Sequence, residues 1–452
     1  MQRWLLGALA VIATASAHAA VDANEIARLD HDLTPMGAER AGDGGAIPAW
    51  EGGITAPPAG YTVGRFHPDP YADDERLFTI TPENYRDHTA HLTEGQQALF
   101  AKYPSYRIHV YPTRRSASLP DRLYTQTAQN AAQCTLTKDG EGVEHCAEGL
   151  PFPILSGDER EQGYQAIWNH KLKYKGITIR RWANQAAPTA SGAYTLVRMH
   201  ESILGLYYKP GNTSDNTNNV FVYFFQEVQG PARLAGNVLL VHETLNQIEL
   251  PRQAWVYNPG QRRVRRAPDV AYDNPGTASD GLRTNDMTDM FNGAMDRFDW
   301  KLVGKRAIYV PYNAYEAHSD RLKVADLVKP GHLNPEHIRY ELHRMWVVEA
   351  TLRPGKRHLN ARRTFYLDED SWTIMEIDHY DSRGRLWRVS EAPSIVFYDL
   401  PAFQSTLEVH YDLQSGRYIA GLLDNEETVP DFTTAMSPDD FSPQSLRRRG
   451  VR

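Results

Sequence analysis

The chain has 452 residues, 41% hydrophobic and 10% aromatic, with 49 Lys and Arg against 56 Asp and Glu and a formal net charge of −7. With its 32 Gly added, the apolar share is that of an ordinary globular protein, which excludes collagen-like and disordered classes. The acidic balance also disfavours holding nucleic acid by counterion release, so no nucleic-acid partner is expected.

The chain opens like a secretion address. Arg3 supplies a positive start, Trp4 to Ile12 an apolar stretch and Ala17-His18-Ala19 a small-residue cleavage site. Residues 1–19 are read as a signal peptide, and the protein as one of the periplasm of a Gram-negative bacterium. No later stretch approaches the ~18 uninterrupted apolar residues of a membrane span. Residues 20–80 form a wrapping arm, because positions 35–70 hold 8 Gly and 6 Pro, a density that forbids long helices and central strands.

Residues 81–190 read as short helices and loops. Thr81-Pro82-Glu83 pairs an N-cap residue with Pro at the first helical position, and Thr93/Gln96 and Ser156/Glu159 match the capping box. Tyr164, Ile167, Trp168 and Leu172 then fall on one helical stripe. Cys134 and Cys146 are the two cysteines, and in an oxidising compartment they read as one disulfide across a turn-rich loop.

From residue 191 to 440 the pattern is that of antiparallel strands. Tyr194–Tyr208 puts Val197, Met199, Ile203 and Tyr207 on one face, and Asn258-Pro259-Gly260-Gln261 looks like a hairpin turn between short strands. Further hairpins are expected at Asp368–Ser371, Asp381–Gly384 and Leu413–Gly416, giving one large meander. One amphipathic helix interrupts it, with Met287, Met290, Phe291, Ala294 and Phe298 at i, i+3, i+4, i+7 and i+11 and Thr284 or Asn285 as cap. A second helix is expected within Ser319–Leu327. Residues 441–452, with Arg447, Arg448, Arg449 and Arg452, read as a basic, solvated and disordered C-terminal tail.

An antiparallel sheet with one wet face alternates cleanly, yet Val220–Phe225, Met345–Leu352 and Trp372–Ile377 are apolar at both parities. Such a sheet hides both faces. Either the arm and helices fill the second face, or it remains an apolar cavity for a ligand.

Catalytic patterns are missing: there is no G-x-S-x-G elbow, no H-E-x-x-H and no dinucleotide or Walker glycine run. The pairs His88/His91 and His332/His337 lack the Cys or acidic neighbours of a metal site. No cofactor or metal is expected, and the chain is read as a non-enzyme. The cluster Arg262, Arg263, Arg265 and Arg266 reads as a solvated face.

Several runs resemble a family of uncharacterised periplasmic proteins labelled outer-membrane lipoprotein-sorting-like. They include Leu33–Glu39, Ile47–Trp50, Tyr111–Ser116, Ile167–His170, Trp255–Arg266, Asp299–Lys305 and Tyr366–Trp372. The resemblance implies a fold of the lipoprotein-localisation-carrier type, an incomplete antiparallel barrel closed by helices around an acyl-chain cavity. It also implies partnership with inner-membrane efflux-type transporters and outer-membrane proteins.

The fold class expected is therefore mainly β with helices (α+β), a large curved antiparallel sheet with a long N-terminal arm. The function expected is binding or carriage of a lipid, a lipoprotein acyl chain or another hydrophobic ligand between the two membranes. The alternatives are a non-carrier accessory protein of a membrane transporter, or an enzyme with an unrecognised site. The expected ligand-binding residues are Val197, Met199, Ile203, Tyr207, Val222, Phe224, Trp255, Met287, Met290 and Phe291.

Overall fold

The computed structural model describes residues 21–267 and 272–450. The signal peptide expected at 1–19 lies outside the described residues. No helix among them is long and apolar enough to cross a membrane.

The chain is mainly β, and its strands divide between two principal sheets rather than forming one meander. The six-stranded sheet runs, in spatial order, Arg263–Arg266, Gln253–Asn258, Val238–Thr244, Val220–Gly230, Arg198–Gly205 and Thr178–Trp182, with every pair antiparallel. The larger sheet centres on the long strand Arg339–Leu352, followed by Arg362–Asp368, Ile374–Tyr380, Leu386–Glu391, Glu408–Asp412 and Arg417–Leu423. It stays open and does not close into a barrel.

The sheets are stitched together at Ala183. Thr178–Trp182 pairs with the six-stranded sheet, whereas Asn184–Ala186 pairs with Arg417–Leu423 of the larger one. Arg181, Ala183 and Gln185, at alternate positions across that switch, line one compartment. The turns at Asn258–Gln261, Asp368–Ser371, Asp381–Gly384 and Leu413–Gly416 all join antiparallel neighbours, as their compact turn sequences predict.

The larger sheet is covered by the protein's own side chains. Helix Glu159–Lys171 lays Tyr164, Ile167 and Trp168 into one core with Trp300, Phe365 and Trp372. Its cap is Asp158 with Glu161, two residues later than the Ser156/Glu159 expectation, because the Asp158 carboxylate reaches both Arg160 N and Glu161 N. Helix Glu94–Lys102 has the Thr93/Gln96 capping box that its sequence announces, and it places Leu99 and Phe100 in a second core with Val389, Val409 and Tyr411.

The arm wraps as its glycines require. A Cβ on Gly53 (φ +69°) would stand 2.3 Å from the Ala117 carbonyl oxygen, so only glycine permits that approach. Trp50 donates to Ala117 O, and Trp372 donates to Met36 O, which pins the arm against the larger sheet. Cys134 and Cys146 form the expected disulfide, with Cα atoms 4.5 Å apart. Closing a loop of this length contributes about 3 kcal/mol on the chain-entropy account.

Two expectations are corrected. The helix expected through Met287 and Phe298 does not form: short 3₁₀ turns at Asn285–Met287 and Met295–Arg297 flank an irregular segment, and Phe298 already starts a strand. Met287, Met290, Phe291 and Phe298 are buried as their spacing demands, but tertiary contacts set the backbone. Asp286 is tied to Arg363 and His358, and Asp289 to Lys173 and Lys175, and both Asp289 and Met290 take positive φ. Likewise Ser319–Leu327 yields only the helical turn Val324–Leu327.

The C-terminal residues are not a disordered tail. Pro443–Gly450 is a helix whose Leu446, with Phe441, is buried on the outer face of the six-stranded sheet against Leu240, Phe225 and Tyr257. Leu446, Phe441 and Met436 together cover the apolar residues of that sheet face.

Candidate functional site

The inner face of the six-stranded sheet is where apolar surface remains open. Register builds it row by row. Ile179, Ile203, Phe224, Val241 and Ala254 are successive cross-strand partners and make one apolar row. Beside it Gly205, Val222 and Glu243 form a second row, and on the other side Arg181, Glu201, Gln226, Leu239 and Val256 form a third. Ile203, Val222, Phe224 and Leu239 are only half-buried, in contrast to the sealed cores of the larger sheet.

Above these rows lies a cleft of about 110 Å³ that opens towards a second compartment of about 70 Å³. Arg181, Phe224, Leu239, Thr288 and Glu408 line both. The roof includes segment 283–292, Gln404 and Ser405 of the small two-stranded sheet and Glu408 of the larger one, and no arm residue lines either compartment. The arm packs on the larger sheet and lines neither compartment.

The roof and ends are charged. Asp289 accepts from Lys173 Nζ at 2.9 and 3.0 Å and from Lys175 Nζ at 2.6 Å, and these two cations hold its carboxyl well below the usual carboxylate range against the cost of burial. Arg181 donates to Glu201 at 2.9 Å, and Gln226 donates to the other oxygen of Glu201 at 2.8 Å. Arg252 pairs with Glu243 at 2.8 Å, fixing the wall where the first compartment meets segment 283–292.

Glu408 stands apart, with no side-chain hydrogen bond to the described residues. Burial, and secondarily Asp289, push its carboxyl up to about 7. Arg283 donates to Thr288 Oγ1 at 2.9 Å, and among the described residues no carboxylate lies within ion-pair distance of it. Gln226 Oε1 and Gln404 Nε2 are buried without hydrogen-bond partners. The cleft thus combines an apolar floor with a charged roof.

Of the residues expected from sequence, Ile203, Val222 and Phe224 meet in the first compartment, and Met199 lines the second. Val197 borders a separate groove with Arg233 and Leu234. Tyr207 is sealed in the core with its hydroxyl bonded to Ala147 O. Trp255 lies on the opposite sheet face, packed on His242 at 4.8 Å between ring centroids. Met287, Met290 and Phe291 are core residues, almost wholly buried. Arg283, Glu408, Asp289 and Gln226 were not singled out by sequence, because only pairing register and the fold of segment 283–292 bring them together.

A second buried polar group gathers under the arm. His67 contacts Asp399 at 2.8 Å and His318 at 3.2 Å, and His318 in turn contacts Asp424. His67 and His318 are almost wholly buried, so this set secures the arm and presents no surface to a ligand.

The model of the family described as "Protein of unknown function (DUF1329)" matches residues 79–447. A Pseudomonas aeruginosa protein described as uncharacterized is 48% identical over 448 residues, 98% of this chain and 97% of its own length. Among solved structures, a DUF1329 family protein from Desulfovibrio piger is 14% identical and aligns over 64% of this chain and 100% of its own with a TM-score of 0.45. A LolA superfamily protein from Nitrosomonas europaea is 12% identical and aligns over 60% of this chain and 93% of its own with a TM-score of 0.37.

Proposed function

The chain belongs to the DUF1329 family, a membership that supplies no chemistry, so the function is argued from the cleft: we propose that this protein binds a hydrophobic or amphipathic small molecule between its two sheets and carries it through the periplasm. The observation that supports this reading is the half-buried apolar row Ile203, Val222 and Phe224, left uncovered although the arm and helices seal the apolar faces of the larger sheet. Exposing such a strip to water costs roughly 25 cal/mol per Å², a cost that a bound apolar ligand removes.

The periplasmic reading is supported by the signal-peptide pattern read at residues 1–19 and by the Cys134–Cys146 disulfide, a bond that persists where the surroundings are oxidising. Carriage between the inner and outer membranes, with membrane proteins as donor and acceptor, is the role that such a ligand and location suit.

The test is saturable binding of the neutral fluorophore N-phenyl-1-naphthylamine to the purified chain. The wild-type protein is expected to bind it at one site, and the V222D/F224D double variant to lose at least about tenfold in affinity, since two carboxylates then face an apolar floor. The variant's melting temperature is measured alongside, because both positions are half-buried and tolerate polarity better than core sites. Absence of saturable binding in the folded wild-type chain would remove the carrier reading.

A further inference from the structure

The two compartments differ in chemistry, and the difference identifies one end of the ligand. The first is floored by the Ile179–Ile203–Phe224–Val241 row. The second is bordered by Arg181, Glu201, Gln226, His410 and Arg283. They meet at Phe224 and Leu239, so a molecule lying along the sheet passes from an apolar chamber into a polar one.

Resting on the carrier reading, we propose that the ligand is a single-chain amphiphile with an anionic head, a carboxylate or a phosphate, and that Arg283 receives that head in the second compartment. Most cations around the cleft already have carboxylate partners. Arg181 has Glu201, Arg252 has Glu243, and Lys173 and Lys175 share Asp289. Among the described residues Arg283 has only the Thr288 hydroxyl, at 2.9 Å, as a side-chain hydrogen-bond partner, although its guanidinium lies deep enough that burial lowers its pKa. A guanidinium in such a place gains most from a planar or tetrahedral oxyanion, which its forked donors can engage at two points.

A neighbouring group bears on the same head. Glu408, the acidic neighbour that would oppose an anion, keeps its proton up to about pH 7. Asp289, the carboxylate of the roof, is already engaged by two lysines.

Size narrows the class. Together about 110 and 70 Å³ accommodate on the order of a dozen water-sized groups at about 15 Å³ each. That suits one chain of roughly ten to twelve carbons with its head, and not several acyl chains at once.

The experiment is displacement of N-phenyl-1-naphthylamine by dodecanoate, dodecyl phosphate and 1-dodecanol, which share a tail and differ in the head. The wild-type chain is expected to prefer at least one of the two anions over the alcohol by roughly tenfold or more, the scale of a charge-assisted hydrogen bond. The tighter of the two anions distinguishes a fatty-acid carboxylate from a phosphate head. R283Q is expected to lose the preference while keeping its affinity for 1-dodecanol, and R283K to keep part of it. Equal binding of dodecanoate, dodecyl phosphate and 1-dodecanol by the wild-type chain overturns the inference and leaves the carrier reading intact, as does a folded R283Q chain that retains the preference. Should R283Q fail to fold, the wild-type comparison and R283K decide the matter. Failure of the fluorophore itself to bind counts against the carrier reading instead.

Discussion

Replacing Arg115 by alanine is expected to lower the unfolding free energy by about 3–5 kcal/mol, the cost of breaking a buried ion pair and leaving one partner behind. Arg115 is almost wholly buried, and it engages Asp370 through two nitrogens at 2.9 and 2.6 Å. The same guanidinium donates to Glu39 O at 2.8 Å, Arg40 O at 3.2 Å and Pro48 O at 3.3 Å. One side chain thus ties the Gly/Pro arm to the hairpin between Arg362–Asp368 and Ile374–Tyr380.

Without it, the buried Asp370 carboxylate loses its bidentate cation and the Glu39, Arg40 and Pro48 carbonyls each lose one donor. The neighbouring Asp368, pushed up to about 6 by burial and by Asp370, loses the cation that offsets the pair of acids. Denaturant unfolding reads the loss of stability. Limited proteolysis reads its location, with new cleavage expected inside residues 35–70. R115K is expected to recover little, because an ammonium cannot span a carboxylate and three carbonyls in one plane. An R115A chain within about 1 kcal/mol of wild type and resistant to cleavage would show that the arm is held elsewhere.

Stability is expected to fall as pH rises from about 6.5 to 8. Burial pushes Asp378, Glu391 and Glu408 up to about 7 and Glu141 up to about 8, while burial and Glu391 raise Glu376 well above its ordinary value. In the unfolded chain the same groups titrate near 4. Their stabilising protons are all present below pH 4 and are released as pH climbs through the folded values. Over that range the folded state binds more protons than the unfolded state, and each retained proton costs about 1.4 kcal/mol per pH unit.

Below about 6.5 the buried histidines act in the opposite sense. Burial holds His170 at about 3 and His379 and His410 well below their ordinary value, so the unfolded chain takes up protons that the folded chain refuses. Above about pH 6.5 the histidines are neutral in both states, and the decline set by the raised carboxyls is left unopposed. Guanidinium midpoints at pH 6.5 and 8 check this: a lower midpoint at pH 8 is expected, and D378N is expected to shallow the decline. An equal or higher midpoint at pH 8 would contradict it.

Local rules made the turns and one helix start readable from sequence. Thr93 and Gln96 cap their helix as written, Asp368–Ser371 turns the chain, and Gly53 sits where a Cβ cannot. Non-local contacts defeated the same reasoning elsewhere. The Met287 to Phe298 spacing is a faithful record of burial, yet Arg363 and His358 on Asp286, and Lys173 and Lys175 on Asp289, hold that segment out of a helix.

The site was half legible for a related reason. Alternation along one strand placed Ile203 on the cleft face, and the apolar run Val220–Phe225 contained Val222 and Phe224. Alternation could not say which face the C-terminal helix would cover, so Trp255 was placed on the wrong side. Arg283, Glu408 and Gln226 come from three distant segments and carry no shared local pattern. Only the register of the strands and the switch at Ala183 bring them to one compartment.

The most direct measurement is a crystal structure of the chain with 12-bromododecanoic acid, located by the anomalous signal of bromine. The account predicts a bromine peak among Ile203, Val222 and Phe224, with the carboxylate at Arg283. A bromine peak elsewhere on the molecule, or an empty cleft at saturating ligand, would contradict it.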